Sequence, residues 1–262
     1  MSLVSKKCDK NLIDINHKNI TARKFSQSAK QYAEHAQVQH ISSEYLLSLI
    51  PQKQHGICLD LGAGPGVNIN VLKSKFDQVI ALDLSLDMLK QIKTHNVSSV
   101  CADMDALPFK SGSLECVFSN FATQWSQNLP RLLHHIYQLL KAEGVFYLSI
   151  VCDGTLKEIE QAWRGIDNNS HINQFINKND LMTLVEQSGF NLVHNSHTCL
   201  QQKFDSPLKA LKSIKVIGAS HHGQKNKGLL GKSTLKNVLA AYPKVKNEYC
   251  VSYQVAYLTL KK

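Results

Sequence analysis

The chain has 262 residues, of which 43% are hydrophobic and 19% charged, and a formal net charge of +10 at pH 7. This length and composition are typical of a globular domain with a full-sized core. The longest apolar runs, such as residues 145–152, fall far short of the ~20 residues that a membrane-spanning helix needs, so we expect no membrane partner. The polar N-terminus lacks the apolar segment of a secretory signal, which favours a cytoplasmic protein. We predict a loose tail over 1–21 and one domain over 22–262.

The cysteines and histidines do not suggest a metal centre. Seven cysteines form no Cys-x-x-Cys pair, and most lie in apolar, strand-like contexts, which predicts buried free thiols in a reducing compartment. The histidine pairs at 134–135 and 221–222 have no metal-ligand spacing to a cysteine or an acid, so no metal is predicted.

Short apolar strands alternate with amphipathic helices along the first 150 residues, the pattern of a parallel sheet with helices on both faces. Ser85 is placed to cap a helix over 86–95, and Asn128 to cap another with Pro130 in its first turn. Leucines and isoleucines in the second helix recur at the spacing that buries one face against a sheet. The predicted strands cover 56–61, 78–84, 98–103, 114–120 and 144–151.

The alternation changes after the fifth strand. Residues 154–175 are predicted to be helical and then irregular, and a capped helix follows over 177–190. Ser206 and Pro207 are set to begin a helix in a lysine-rich stretch. The two last predicted strands cover 190–200 and 249–260, and we interpret segments at about 152–176 and 201–247 as a lid near the end of the sheet.

A glycine loop follows the first strand. Gly62, Gly64 and Gly66 come after Asp60 at a two-residue spacing. The dinucleotide fingerprint needs a third glycine where Val67 stands, and the Gly-Lys-Ser/Thr of a phosphate-binding loop is absent. A glycine loop alone is weak support for ligand binding, because tight turns use glycine for steric reasons.

Polar residues end the next three strands, at Asp83, Asp103 and Asn120. In an open α/β sheet these positions line one crevice beyond the carboxyl ends of the strands. An acid after the second strand can accept hydrogen bonds from both hydroxyls of a ribose, and one after the third from an adenine amino group. No lysine is placed for phosphate, so the pattern favours a nucleoside with an amino-acid tail, such as S-adenosylmethionine.

Four stretches resemble the successive motifs of class I S-adenosylmethionine-dependent methyltransferases: "LDLGAGPG", "ALDLSLDML", "CADMDALPF" and "SNFATQW". The resemblance implies an α/β, Rossmann-like fold with a seven-stranded, mostly parallel sheet and an inserted lid. It also implies that the protein releases S-adenosylhomocysteine. The cofactor-binding residues implied are Asp60, Gly62, Ala63, Gly64, Gly66, Asp83, Leu84, Asp103, Met104 and Asn120.

The flanking stretches are similar to one branch, the malonyl-acyl-carrier-protein O-methyltransferases of biotin synthesis. "NFATQW" and "LKSIKVIGAS" are the discriminating pieces, because generic methyltransferases need neither. The resemblance implies methylation of the free malonyl carboxylate on acyl carrier protein or coenzyme A. That carboxylate is already ionised, so we expect no catalytic base, only positioning in a lidded pocket with aromatic walls and one cation.

Six residues are candidates for substrate binding. Tyr32, Phe121, Trp125 and Trp163 are candidate pocket walls, although the two tryptophans equally suit a core. Lys212 and Lys215 are candidates for the substrate carboxylate or the pantetheine phosphate, although a lysine is often only a solvated surface group. Arginine would offer bidentate geometry that lysine does not.

The positive charge is concentrated in the last quarter of the chain. Residues 201–262 hold 12 lysines against two acids, whereas basic and acidic side chains balance before them. An acidic carrier protein accounts for this better than nucleic acid, because the Asn-Pro-Pro-Tyr motif of nucleic-acid amino-methyltransferases is absent. The alternatives that stay open are a methyltransferase of another small molecule, such as a quinone precursor, and a non-catalytic S-adenosylmethionine-binding protein.

Overall fold

A computed structural model describes residues 36–167, 169–216, 231–244 and 247–262. The predicted tail and Tyr32 lie outside the described residues, as does the side chain of Lys215. The strands are β1 (Ile57–Leu61), β2 (Gln78–Asp83), β3 (Ser98–Cys101), β4 (Leu114–Asn120), β5 (Leu140–Cys152), β6 (Asn191–Phe204) and β7 (Tyr249–Lys261).

The strands form one sheet in the order β3-β2-β1-β4-β5-β7-β6. Pairing is parallel from β3 through β5, and β7 runs antiparallel to both of its neighbours. The seven-stranded, mostly parallel sheet predicted from the sequence is therefore confirmed. The order in which successive strands are added reverses between β1 and β4, although these two strands are parallel. This reversal places the carboxyl ends of β1, β2 and β4 around a single crevice.

The described helices are α1 (Gln37–Ser48), α2 (Ile69–Lys75), α3 (Leu86–Leu89), α4 (Leu129–Leu139), α5 (Lys157–Trp163), α6 (Lys178–Gln187), α7 (Pro207–Val216) and α8 (Lys232–Ala241).

The helices cover both faces of the sheet. One cluster of buried side chains includes Leu46 of α1, Leu72 of α2 and Val238 of α8. The other includes Leu133 of α4 and Val185 of α6. This confirms the two-faced arrangement that the alternating pattern predicts. None of the described helices is long and apolar enough to cross a membrane.

The predicted helix starts are confirmed at two caps, but one helix is much shorter than predicted. The side chains of Ser85 and Asn128 accept hydrogen bonds from backbone N–H groups in the first turns of α3 and α4. The prediction of a helix over 86–95 is wrong, because α3 ends at Leu89. The N–H groups of Gln91 and Ile92 bond to carbonyls three residues back, which tightens and ends the turn.

The end of the chain also differs from the predicted elements. β6 continues to Phe204, into the stretch that the sequence suggested was lid. Ser206 accepts a hydrogen bond from the Lys209 N–H at the start of the predicted helix α7. A second helix, α8, was not predicted, and it packs against α5.

Candidate functional site

The glycine loop turns the chain away from β1 in a conformation that glycine adopts without strain. Gly62, Gly64 and Gly66 have φ of 77°, 55° and 78°. The N–H groups of Gly62 and Ala63 donate to the carbonyl of Leu82 at 2.8 and 2.9 Å, which ties the loop to β2. A Cβ on Gly62 would lie 2.3 Å from the Cβ of Ala122, so the close approach of two loops also requires glycine there.

Asp83, the last residue of β2, bonds both to the glycine loop and to the segment that follows β2. Its Oδ2 accepts from the Gly64 N–H at 2.9 Å, and its Oδ1 accepts from the Ser85 N–H at 2.8 Å. Burial raises the pKa of this carboxyl, and the backbone N–H donors partly oppose that rise. A carboxylate has about four lone-pair sites, so Asp83 can still accept from a ligand hydroxyl.

Asp60 is the most unusual carboxyl group in the site. Its side chain is 1% exposed, and among the described residues no group donates a hydrogen bond to its Oδ2. Burial, with a smaller contribution from the negative charge of Asp83, raises the pKa of Asp60 to about 8. A buried carboxyl that lacks a cation is costly, so this position favours a ligand that brings positive charge.

The third predicted acid, Asp103, begins a short 3₁₀ helix over Met104–Ala106 and accepts from the Asp105 N–H at 2.9 Å. Asp105, which the sequence analysis did not single out, accepts from Ser126 Oγ at 2.5 Å and from the Gln127 N–H at 3.1 Å. These bonds connect the segments that follow β3 and β4.

A cavity of about 140 Å³ lies between the glycine loop and α1. This volume is below the ~300 Å³ of a small ligand pocket, so the cavity fits only one end of a cofactor. Ala63, Pro65 and Asn68 line one side, and Gln39 and His40 of α1 line the other. Gln39 and His40 were missed, because nothing in the sequence shows which helix residues will face a loop that is more than 20 positions away.

Asn120 also lines this cavity, as predicted, but it bonds mainly to the protein. Its Oδ1 accepts from Ser42 and Ser149 at 2.7 Å each, and its Nδ2 donates to the carbonyl of Gln39 at 3.0 Å. The amide therefore joins β4 to β5 and to α1.

The predicted aromatic residues occupy different environments. Phe121 has φ of 51°, a strained value for a residue with a Cβ, and its ring stacks on Tyr253 at a centroid distance of 6.3 Å. Trp125 is partly exposed at the end of a 3₁₀ helix. Trp163 is 7% exposed and lies in the core, where it stacks on His171 at 3.6 Å. Tyr253 and His171 had no local signal in the sequence.

The lysine of the predicted lid lies on the surface. Lys212 is exposed on α7, beside exposed Leu208 and Lys209, whereas Ala210 and Ile214 on the same helix are buried. Lys209 pairs with Asp205 at 2.6 Å. Unlike Lys209, Lys212 forms no ion pair with a described residue.

Three curated relatives cover most of the chain. The malonyl-acyl-carrier-protein O-methyltransferase of Marinomonas sp. is 32% identical over 257 residues, 95% of each chain. The protein of the same name from Salmonella typhimurium is 30% identical, over 91% of this chain and 95% of its own. The biotin biosynthesis bifunctional protein BioHC of Cellvibrio japonicus is 30% identical over 94% of this chain and 50% of its own length.

Solved structures share the fold at much lower identity. The YcgJ protein of Bacillus subtilis aligns with a TM-score of 0.60 at 14% identity, over 85% of this chain and 98% of its own. A geranyl diphosphate C-methyltransferase of Streptomyces coelicolor, solved with S-adenosyl-L-homocysteine, aligns with a TM-score of 0.52 at 13% identity, over 85% of this chain and 77% of its own.

The family model for a methyltransferase domain matches residues 32–195, the segment that carries the glycine loop and the acids after β1, β2 and β3. The Marinomonas relative matches 95% of the chain, well beyond this segment. The chain is therefore a methyltransferase, and it belongs to the malonyl-acyl-carrier-protein O-methyltransferase family.

Proposed function

We propose that this protein transfers the methyl group of S-adenosylmethionine to the free carboxylate of a malonyl group on acyl carrier protein. The product is a malonyl methyl ester, which fatty-acid synthesis then extends toward the pimeloyl chain of biotin. The names of the relatives support this substrate and this pathway. Within the chain, the observation that most supports S-adenosylmethionine as the methyl donor is the buried Asp60, which precedes the glycine loop and whose Oδ2 has no donor among the described residues.

The residues of the crevice fit S-adenosylmethionine. Asp60 suits a cationic ligand, and the glycines let an amino-acid tail approach the backbone of the loop. Asp83 has acceptor capacity for ribose hydroxyls. Asp103 and Met104, which follow the neighbouring strand β3, are our candidates for contact with the adenine. When bound, the cofactor supplies an electrophilic methyl group on a positively charged sulfur.

The protein's part in the reaction is positioning. A malonyl carboxylate is ionised at neutral pH, so its oxygen attacks without a general base. The pocket must hold that oxygen in line with the methyl group, at about 3–3.5 Å, and exclude water. Phe121, which follows β4 with a positive φ, and Tyr253, which stacks on it, are our candidates for an apolar wall of this pocket.

The carrier is proposed to dock beside α7. Lys212 is exposed there, in the part of the chain where lysines greatly outnumber acids. Acidic surfaces of a carrier protein would be attracted to this region, which speeds encounter.

The direct test is methyl transfer from labelled S-adenosylmethionine to three acceptors in parallel: malonyl-acyl carrier protein, malonyl-coenzyme A and acetyl-acyl carrier protein. The proposal predicts label on the malonyl acceptors only, since the acetyl group offers no free carboxylate. Label on the acetyl carrier would show that another atom is methylated. If none of the three is labelled while S-adenosylmethionine still binds, the substrate proposal is wrong and another small molecule is the acceptor.

A further inference from the structure

A buried network of side chains connects helix α1 to strands β4 and β5 at the cofactor crevice. Ser42 of α1 and Ser149 of β5 are both 0% exposed, and each donates its hydroxyl to Asn120 Oδ1 at 2.7 Å. The two hydroxyl oxygens lie 3.3 Å apart. Ser149 Oγ also accepts from the backbone N–H of Phe121 at 3.2 Å. We call Ser42, Asn120 and Ser149 the amide network.

The network fixes which way the Asn120 amide points. An asparagine side chain has two acceptor sites on oxygen and two N–H donors on nitrogen. Both acceptor sites are filled by serine hydroxyls, and one N–H donates to the carbonyl of Gln39 at 3.0 Å. In the described part of the chain, no acceptor takes the second N–H, and Asn120 lines the cavity beneath the glycine loop.

The same network holds α1 as a wall of that cavity. α1 packs against β4, β5 and β6, and its residues Gln39 and His40 face Gly62 and Gly64 across the cavity. The bond from Asn120 to Gln39 anchors the backbone at the residue that lines the cavity. A shift of α1 would therefore move the cavity wall and the free N–H together.

We propose that the amide network is a positioning device for the amino-acid end of the cofactor. Ser42 and Ser149 orient Asn120, which places α1 over the glycine loop and presents one N–H to the ligand's aminocarboxylate tail. The inference rests on the proposed use of S-adenosylmethionine. It assigns the positioning roles to two serines that never touch the ligand.

The test compares two ligands on purified full-length variants by isothermal titration. S-adenosylhomocysteine carries the amino-acid tail, whereas 5′-methylthioadenosine keeps the nucleoside and lacks the tail. Ser42→Ala and, as a second variant, Ser149→Ala each remove one donor to Asn120. We expect the Kd for S-adenosylhomocysteine to rise about three- to tenfold, as for the loss of one buried hydrogen bond, while the Kd for 5′-methylthioadenosine stays unchanged.

The matched control is Ser43→Ala. Ser43 is the next residue of α1, is 1% exposed, and donates its hydroxyl to the carbonyl of His40 within the same helix. It should leave the affinity for both ligands unchanged. Because Ser42 and Ser149 share one acceptor, their double variant should lose less than the product of the two single effects.

The outcomes distinguish a failure of the proposed role of the amide network from a failure of the proposed cofactor. If the serine variants weaken both ligands equally, or neither, the network has no specific role at the tail and the inference is wrong. If the unaltered protein binds no S-adenosylhomocysteine at all, the proposed cofactor fails and the inference fails with it.

Discussion

Asp83 accepts two backbone N–H groups, from Gly64 and Ser85, and still has acceptor sites for a ligand. We predict that Asp83→Ala raises the Kd for S-adenosylmethionine about ten- to a hundredfold, because hydrogen bonds to a charged group are lost. Isothermal titration checks this. The control is Asp87→Ala, which removes an exposed carboxylate of α3 that pairs with Lys90. Unchanged affinity in Asp83→Ala would contradict the placement of the ribose.

Asp60 should make the free protein less stable as the pH rises. Its pKa in the folded state is about 8, against about 4 in the unfolded chain, so between these values the folded protein binds more protons. The contribution of Asp60 is fully present below pH 4 and is lost as the pH rises toward 8. Relative to Asp60→Asn, the free energy of unfolding should fall by up to about 2 kcal/mol between pH 5.5 and 7.5. Urea unfolding of both proteins at the two pH values measures this. A difference that does not vary with pH would mean that Asp60 is ionised throughout.

Gly62 and Gly64 differ in why glycine is needed: both have a positive φ, but only Gly62 also lies too close to a neighbouring residue for a Cβ. A Cβ on Gly62 would meet Ala122 at 2.3 Å, whereas a Cβ on Gly64 would have nothing within 4 Å. Both have positive φ, so each alanine variant pays the cost of a left-handed residue, about 1 kcal/mol. Gly62→Ala should cost about 2–3 kcal/mol more, because the steric overlap adds to that strain. The free energies of unfolding in urea measure the difference, and equal losses would contradict the close approach of the two loops.

At the scale of elements, helix starts were easier to predict than helix ends. Ser85 and Asn128 cap their own helices, so the signal lies within a few residues of the effect. α3 ends at Leu89 because the next N–H groups bond three residues back, and no residue in 90–95 marks that change. α8 was missed because its stretch was interpreted as a lid, although its apolar residues recur at the i, i+3, i+4 spacing of one helix face. Its burial depends on α5, which is some 70 residues earlier in the chain.

A prediction at α7 concerns the binding of acyl carrier protein. Lys212→Glu should raise the KM for malonyl-acyl carrier protein about three- to tenfold at low salt, since a like charge would face an acidic partner. The Kd for S-adenosylmethionine should not change. The control is Lys110→Glu. Lys110 is an exposed lysine that precedes β4, near the amino-terminal ends of the parallel strands and away from the crevice.

Comparison of the two malonyl acceptors refines this prediction. If Lys212 meets the carrier surface, the KM for malonyl-coenzyme A stays at its original value. If Lys212 meets the malonyl carboxylate or the pantetheine phosphate, both values of KM rise. No change with either acceptor would remove α7 from the proposed docking region.

For the molecule as a whole, the parallel strand order explains which parts of the site can be predicted from the sequence. The polar residues after β1, β2, β3 and β4 were expected to share one crevice, because the carboxyl ends of parallel strands lie at one edge. The contact of Ser42 with Asn120 joins residues 78 positions apart, and that of Ser42 with Ser149 joins residues 107 apart. No spacing rule relates such positions. The position of the acids at the carboxyl ends of parallel strands could therefore be predicted, whereas the wall formed by α1 required the structure.

The measurement that tests the central claim most directly is the identity of the methylated atom. Malonyl-acyl carrier protein is incubated with the protein and S-adenosylmethionine labelled in its methyl group, and the purified product is treated with mild base. A methyl ester at the carboxylate releases the label as methanol, and we predict its near-complete release. Label that stays on a carbon or nitrogen after base treatment would contradict carboxyl methylation, and so would a carrier that acquires no label.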